Sequence, residues 1–267
     1  MASPNLYPAP FVASGLGPDL LRNWGNYVSG SIYWLSSLAG NDANAGTEPE
    51  LPKATLVSVL GVASAGDTVL AVAGHSEVIS AAQTLSTNDV AIIGMGVGTS
   101  RATFTSNVAA GVMLTVSGAH CSMWNCSFPA ATAANTARLA ITGSEFELSG
   151  SYMELGVNDT TNGVTLAGNN PTLRDCDFLA VSSRPARAIN VTGAITGLYM
   201  EDVLVDGGAY GYSSAGIGIT AAATRMLFND VRLANRADFV ATTTGTSYRA
   251  FGLRAIDQTG SRIVIAA

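Results

Sequence analysis

A 25-residue step runs through the middle of this chain and restricts what it can fold into. Val116, Ile141, Leu166 and Val191 stand 25 residues apart, and Gly118, Gly143, Gly168 and Gly193 follow them at the same period. Asn125, Gly150 and Asp175 keep the step, and Asp202 and Asp230 continue it at 27 and 28. Five apolar slots surround these markers. The first holds Leu114, Leu139, Val164, Ile189 and Ile217, and the second Val116, Ile141, Leu166, Val191 and Ile219. After a bend come Met123, Leu148, Leu173, Met200 and Phe228. Past the Asn/Gly/Asp position lie Cys126, Ser151, Cys176, Val203 and Val231, then Phe128, Met153, Phe178, Val205 and Leu233. Ser151 alone in this array is not apolar. Alternation of inward and outward residues within short segments means strands. Short strands repeating as a unit describe coils of a parallel β-solenoid, in which equivalent residues stack about 4.8 Å apart and no coil buries its apolar side alone. A β-sandwich would share the strand spacing but not the common register of strand, bend and strand.

A further coil precedes these, with Leu85, Ile92, Gly94, Met95 and Val97 placed 31 residues before their counterparts. Residues 1–30 hold four of the nine prolines, show no periodicity and read as an extended N-terminal arm. Residues 31–66 supply an entry strand (Ser31–Ser36), a Gly/Asn/Asp/Pro loop (Gly40–Pro52) and a short capping helix over Lys53–Ala63. Such a helix would cover the open end of the first coil. The coils proper are expected over 67–240, opening with a strand at Asp67–Val72, and closing strands over 241–267, with Ile263, Ile265, Phe251 and Leu253 contributing.

Composition narrows the function classes. Of 267 residues only 12% are charged, and Lys53 is the single lysine among 13 basic residues. A net charge of −6 argues against nucleic-acid binding, which relies on Lys/Arg neutralising phosphates. No apolar run is long enough to cross a bilayer, so no membrane partner is expected. The opening MASPNLYPAP lacks the basic-then-apolar pattern of a secretory signal, which disfavours a surface adhesin. Cys121, Cys126 and Cys176 show no metal spacing and read as free thiols made in a reducing host cytoplasm. Cys126 and Cys176 share a column two coils apart, about 9–10 Å, beyond disulfide reach.

Residues 32–79 carry a resemblance. They include Asn41-Asp42-Ala43-Asn44-Ala45-Gly46, a Pro before the helix segment, the strand opening Gly66-Asp67-Thr68-Val69, and the step Gly74-His75-Ser76-Glu77. This resembles the entry segment of pectate-lyase-like right-handed parallel β-helix proteins, and the Gly-His-x-Glu step resembles their bacteriophage-encoded members. Later coils such as Leu173–Phe178 and Met200–Val205 are similar to theirs. The resemblance implies an all-β, right-handed parallel β-helix with an arm and a capping helix. It also implies a virion structural protein, a capsid decoration or cementing protein of the head surface. Partners would be the major capsid protein and two further copies in a homotrimer, without cofactor, metal or enzymatic activity. The alternative is a tailspike-type receptor binder or polysaccharide depolymerase.

Asp175, Asp202 and Asp230 form a carboxylate column that could serve glycan cleavage or hold Ca²⁺. Asn125 and Gly150 fill the same column, and Asn, Gly and Asp share a tolerance of left-handed backbone, so a bend explains the whole column. His75 beside Glu77 reads as a structural turn histidine, and His120 as solvated. Gly94–Gly98 lacks the strand–loop–helix setting of a nucleotide loop. The expected partner contacts are Tyr7, Phe11, Trp24 and Tyr27 in the arm, which fully extended would reach about 100 Å, and an exposed, outward Trp124.

Overall fold

The computed structural model describes residues 30–156, 158–182, 185–235, 237–241, 247–255 and 263–265. The arm residues Tyr7, Phe11, Trp24 and Tyr27 lie outside them. The chain is an all-β parallel solenoid. Each turn visits three parallel sheets, which among the described residues have nine, eight and eight strands.

Sheet A runs from Ile32–Leu35 through Thr68–Ala71, Ala91–Gly94, Ser122–Trp124, Glu147–Ser149, Thr172–Arg174, Tyr199–Glu201 and Met226–Asn229 to Tyr248–Phe251. Sheet B begins at Ser76–Ile79 and sheet C at Gln83–Leu85. The pairings reproduce the expected register. Leu114, Leu139, Val164, Ile189 and Ile217 are successive partners, as are Met123, Leu148, Leu173, Met200 and Phe228. All 25 slot residues are buried, Ser151 included. Ladders of this kind stabilise by roughly 1.5–3 kcal/mol per large apolar side chain, but only once the next coil is in place. Ser151 is tolerated inside because its hydroxyl donates to the Ser149 carbonyl (3.0 Å) and accepts the Cys126 N–H (3.2 Å). The three cysteines are buried and free.

Two sequence expectations need correction. The capping helix is shorter than Lys53–Ala63 and spans Leu56–Leu60. Thr55 caps it by accepting the Ser58 N–H, while Lys53 is held in a bridge to Leu35 and cannot join it. Leu56 and Val59 turn inward to close the first coil. Met95 and Val97 do not fill the fourth and fifth slots of the early coil. Residues 95–101 loop out through a 3₁₀ turn at Gly98–Ser100, and Thr103 pairs with Ser127. Ala102 and Phe104 are buried in place of them, whereas Val97 is exposed. The entry strand Ile32–Leu35 is moreover the first strand of sheet A, paired in register with Thr68–Ala71.

Candidate functional site

The entry motif acts as a clasp. Asp42 accepts the N–H groups of Ala54 and Thr55 (both 3.0 Å) and the Thr55 hydroxyl (2.8 Å), fixing the approach to the capping helix. Burial alone would raise the Asp42 pKa, but these bonds hold it below the usual carboxylate value. Lys53 spends its ammonium on the carbonyls of Asp42 (3.1 Å) and Asn44 (2.8 Å). Asp67 accepts N–H bonds from Ser31 (2.6 Å) and Ser64 (2.7 Å), joining both ends of the entry segment. His75 is fully buried, stacks near Phe104 and accepts the Ser37 N–H at Nδ1 (3.0 Å). Its Nε2 lies 3.4 Å from Glu77, whose carboxylate accepts the Leu56 N–H (2.8 Å). The Gly-His-x-Glu step therefore ties the entry loop, the helix start and sheet B together, in keeping with a structural histidine.

The Asp column is a backbone device. Asn125, Gly150, Asp175, Asp202 and Asp230 all have left-handed φ, between 47° and 58°. Their N–H groups bond to carbonyls of the following coil, from Asn125 to Ser149 through Asp230 to Phe251. Asn125 also donates through its side chain to Gly94 (2.8 Å) and Gly96 (2.9 Å). Asp230 is engaged by Arg254 at 2.7 Å. Burial and the neighbouring Asp202 raise the Asp175 pKa. Among the described residues no group of three or more His, Cys, Asp or Glu side chains is placed to hold a metal ion.

A cluster that sequence reasoning did not assemble lies one residue before this column, on the outer face of sheet A. Ser149, Arg174, Glu201 and Asn229 are successive partners, with Glu147, Thr172 and Tyr199 in the adjacent row. Arg174 contacts Glu201 at 2.8 Å and Glu147 at 3.3 Å, and its guanidinium lies 5.8 Å from the Tyr199 ring centroid. Burial raises the Glu147 pKa against the pull of Arg174. At Glu201 burial also pushes upward, but bonds from Arg174, Tyr199 and Asn229 prevail and lower it. Two carboxylates whose pKa values move in opposite directions thus flank one arginine. The clue was available in the 27-residue step from Arg174 to Glu201.

His120 is half-exposed rather than simply solvated, lying 3.1 Å from Asp89 and 3.4 Å from Glu145 in neighbouring coils. Burial pushes the Cys126 and Cys176 thiols up to about 12, which makes them poor nucleophiles. Trp124 contradicts its expected exposure. It points outward by register, between Ile93 and Ser149, but is only 6% exposed. Outward position on this sheet does not mean contact with water. Among the described residues no helix is long and apolar enough to cross a membrane.

No family model matches the chain, and no curated protein does. A solved structure, pectate lyase Pel9A, superposes with a TM-score of 0.49 at 14% identity, covering 93% of this chain and 82% of that one. That neighbour is an enzyme, and with it the expectation that this chain is not one is overturned and dropped.

Proposed function

We propose that the chain is a bacteriophage virion structural protein of the capsid-decoration kind. In this reading it is a β-helical rod that binds the major capsid protein at the head surface as a homotrimer. The supporting observation is the entry segment. Leu38 (77% exposed), Leu51, Val57 and Val62 stand open to solvent within 25 residues, whereas the exposed Val78, Val97, Tyr210 and Phe251 are scattered over the coils behind them. Exposed aliphatic residues gathered in one segment mark an association surface. This segment also carries the arm, whose distal Tyr7 and Phe11 would extend the same contact. The test is quantification in purified virions together with binding to isolated head shells. Near-stoichiometric abundance against coat protein, and loss of shell binding in a folded Leu38→Ser/Val57→Ser variant, are expected. Absence from virions, or unchanged binding by that variant, would contradict the proposal.

A second reading rests on the Glu147–Arg174–Glu201 cluster. Two carboxylates flanking one arginine beside the Tyr199 ring, on a partly open sheet face, suit contact with a polysaccharide strand, as in a tailspike. Chain scission of host surface polysaccharide that disappears in Glu147→Gln and Glu201→Gln would support it. No scission by the unaltered protein would remove it.

A further inference from the structure

The step Gly74–Glu77 holds the entry segment through hydrogen bonds whose directions fix where a proton sits. Ser37, just past the entry strand Ile32–Leu35, donates its N–H to His75 Nδ1 (3.0 Å), and its hydroxyl accepts the Ser76 N–H (2.8 Å). A ring nitrogen that accepts a backbone N–H carries no proton, so this imidazole is neutral with its proton on Nε2. Nε2 lies 3.4 Å from Glu77 Oε2 without forming a hydrogen bond. The same carboxylate oxygen accepts the Leu56 N–H (2.8 Å) at the start of the capping helix. One ring thus stands between two parts of the entry segment. It holds the loop at Ser37 by a lone pair and faces the anchor of the helix with an N–H.

The two links respond oppositely to a second proton. Protonation at Nδ1 sets one N–H against the Ser37 N–H, so that bond must break. It also makes the ring cationic, which strengthens its pairing with Glu77 at the other edge. Among the described residues Glu77 is the charged side chain that reaches this ring. Phe104 packs near it without charge. In the entry loop Asp42 and Lys53 are bonded to the loop's own backbone, and Glu48 and Glu50 are exposed. On the side of Gly74, whose N–H reaches the Ser100 carbonyl, the charged residue is Arg101. His120, the other histidine, turns its two nitrogens to Asp89 and Glu145, so a second proton there displaces no backbone donor.

We propose that His75 is an acid-released catch on the entry loop: a second proton on its imidazole frees Ser37, while Glu77 keeps the start of the capping helix in place. Because that proton is taken up only with Ser37 released, falling pH favours the released form. Leu38, next in the chain and 77% exposed, is freed with Ser37, and the association surface becomes pH-dependent. That last consequence alone rests on the capsid reading.

Amide exchange followed by NMR tests the catch in the full chain. His120→Asn, a residue that suits the left-handed backbone there (φ 56°), leaves His75 as the sole imidazole. At neutral pH the nitrogen shifts should place its proton on Nε2. On acidification the Ser37 amide should lose protection from hydrogen exchange several-fold, at the midpoint where His75 gains its second proton. The Leu56 amide should keep its protection, which separates release of the loop from unfolding of the cap. Adding His75→Asn puts an oxygen that does not titrate in the place of Nδ1, and Ser37 protection should then stay level over the same range. A proton on Nδ1 at neutral pH, or Ser37 protection unchanged through the His75 titration, would overturn the proposal. So would a parallel loss at Leu56, unfolding before His75 takes the proton, or the same acid response in a folded His75→Asn variant. Head-shell binding that ignores a demonstrated release would instead contradict the place given to Leu38 in the capsid contact.

Discussion

Two columns of left-handed residues turn this chain, and they differ in what they look like in sequence. The first, between sheets A and B, reads Asn125, Gly150, Asp175, Asp202 and Asp230. The second, between sheets C and A, reads Asp89, His120, Glu145, Asn170, Gly197 and Arg225. Both bond in the same way. Asp175 N–H reaches the Glu201 carbonyl, as Glu145 N–H reaches that of Asn169 and Asn170 N–H that of Thr196. The first column uses only the residue types that accept this backbone readily. The second carries His, Glu and Arg at φ of 56–58°, which costs about 1–2 kcal/mol each relative to glycine. Part of that cost is offset where side chains pair along the axis, as His120 does with Asp89 and Glu145. The bend is thus a demand of the coil, and residue choice records how each site meets it.

Asn125 offers the largest test of this difference. Asn125→Ala removes two side-chain bonds to the carbonyls of Gly94 and Gly96 and leaves a Cβ-bearing residue in the same conformation. A loss of about 2–3 kcal/mol in urea unfolding is expected. A loss below about 0.5 kcal/mol would mean that those bonds do not hold the bend.

In the second column, Arg225→Gly relieves the strain while keeping the backbone bond to the Ser247 hydroxyl. The gain in the unfolding midpoint should correspond to about 0.5–1 kcal/mol, after the larger chain entropy of glycine is subtracted. Destabilisation would show that Arg225 holds the coil by its side chain.

A smaller effect concerns charge. Burial, then Asp202, raises the pKa of Asp175 above its ordinary 3.8. The native state therefore binds this proton more tightly than the unfolded chain does. The penalty is present in full above the folded pKa and fades as pH falls through it toward 3.8. Carboxyl NMR should find Asp175 titrating above 3.8 and moving down in Asp202→Asn. An unmoved titration would separate the two side chains and weaken the stacked register between them.

Much of the fold was legible because the inner ladders are apolar wherever a coil turns. Leu139 sits between Leu114 and Val164 as the 25-residue step requires. The step failed at Met95 and Val97 because the loop over 95–101 is itself glycine-rich and apolar, so its composition imitated a strand. Phe104 is the true occupant, as its neighbours His75 and Phe128 show. The second bend column was invisible for the opposite reason, since its backbone conformation has no shared side chain to announce it. Trp124 misled because alternation gives direction, not exposure, and only packing on the outer face decides whether an outward ring is wet. The Glu147–Arg174–Glu201 cluster needed the register and side-chain reach together, and neither residue type nor spacing alone assembles it.

The Gly-against-Ala contrast at Asp202 tests most directly whether the carboxylate column exists to turn the backbone. Asp202→Gly and Asp202→Ala delete the same carboxylate but differ in their tolerance of φ near 50°. In equilibrium unfolding, Asp202→Gly should be at least as stable as the unaltered chain, and Asp202→Ala less stable than Asp202→Gly by about 1 kcal/mol or more. Equal losses in both variants would contradict a backbone role and assign the column to its carboxylates.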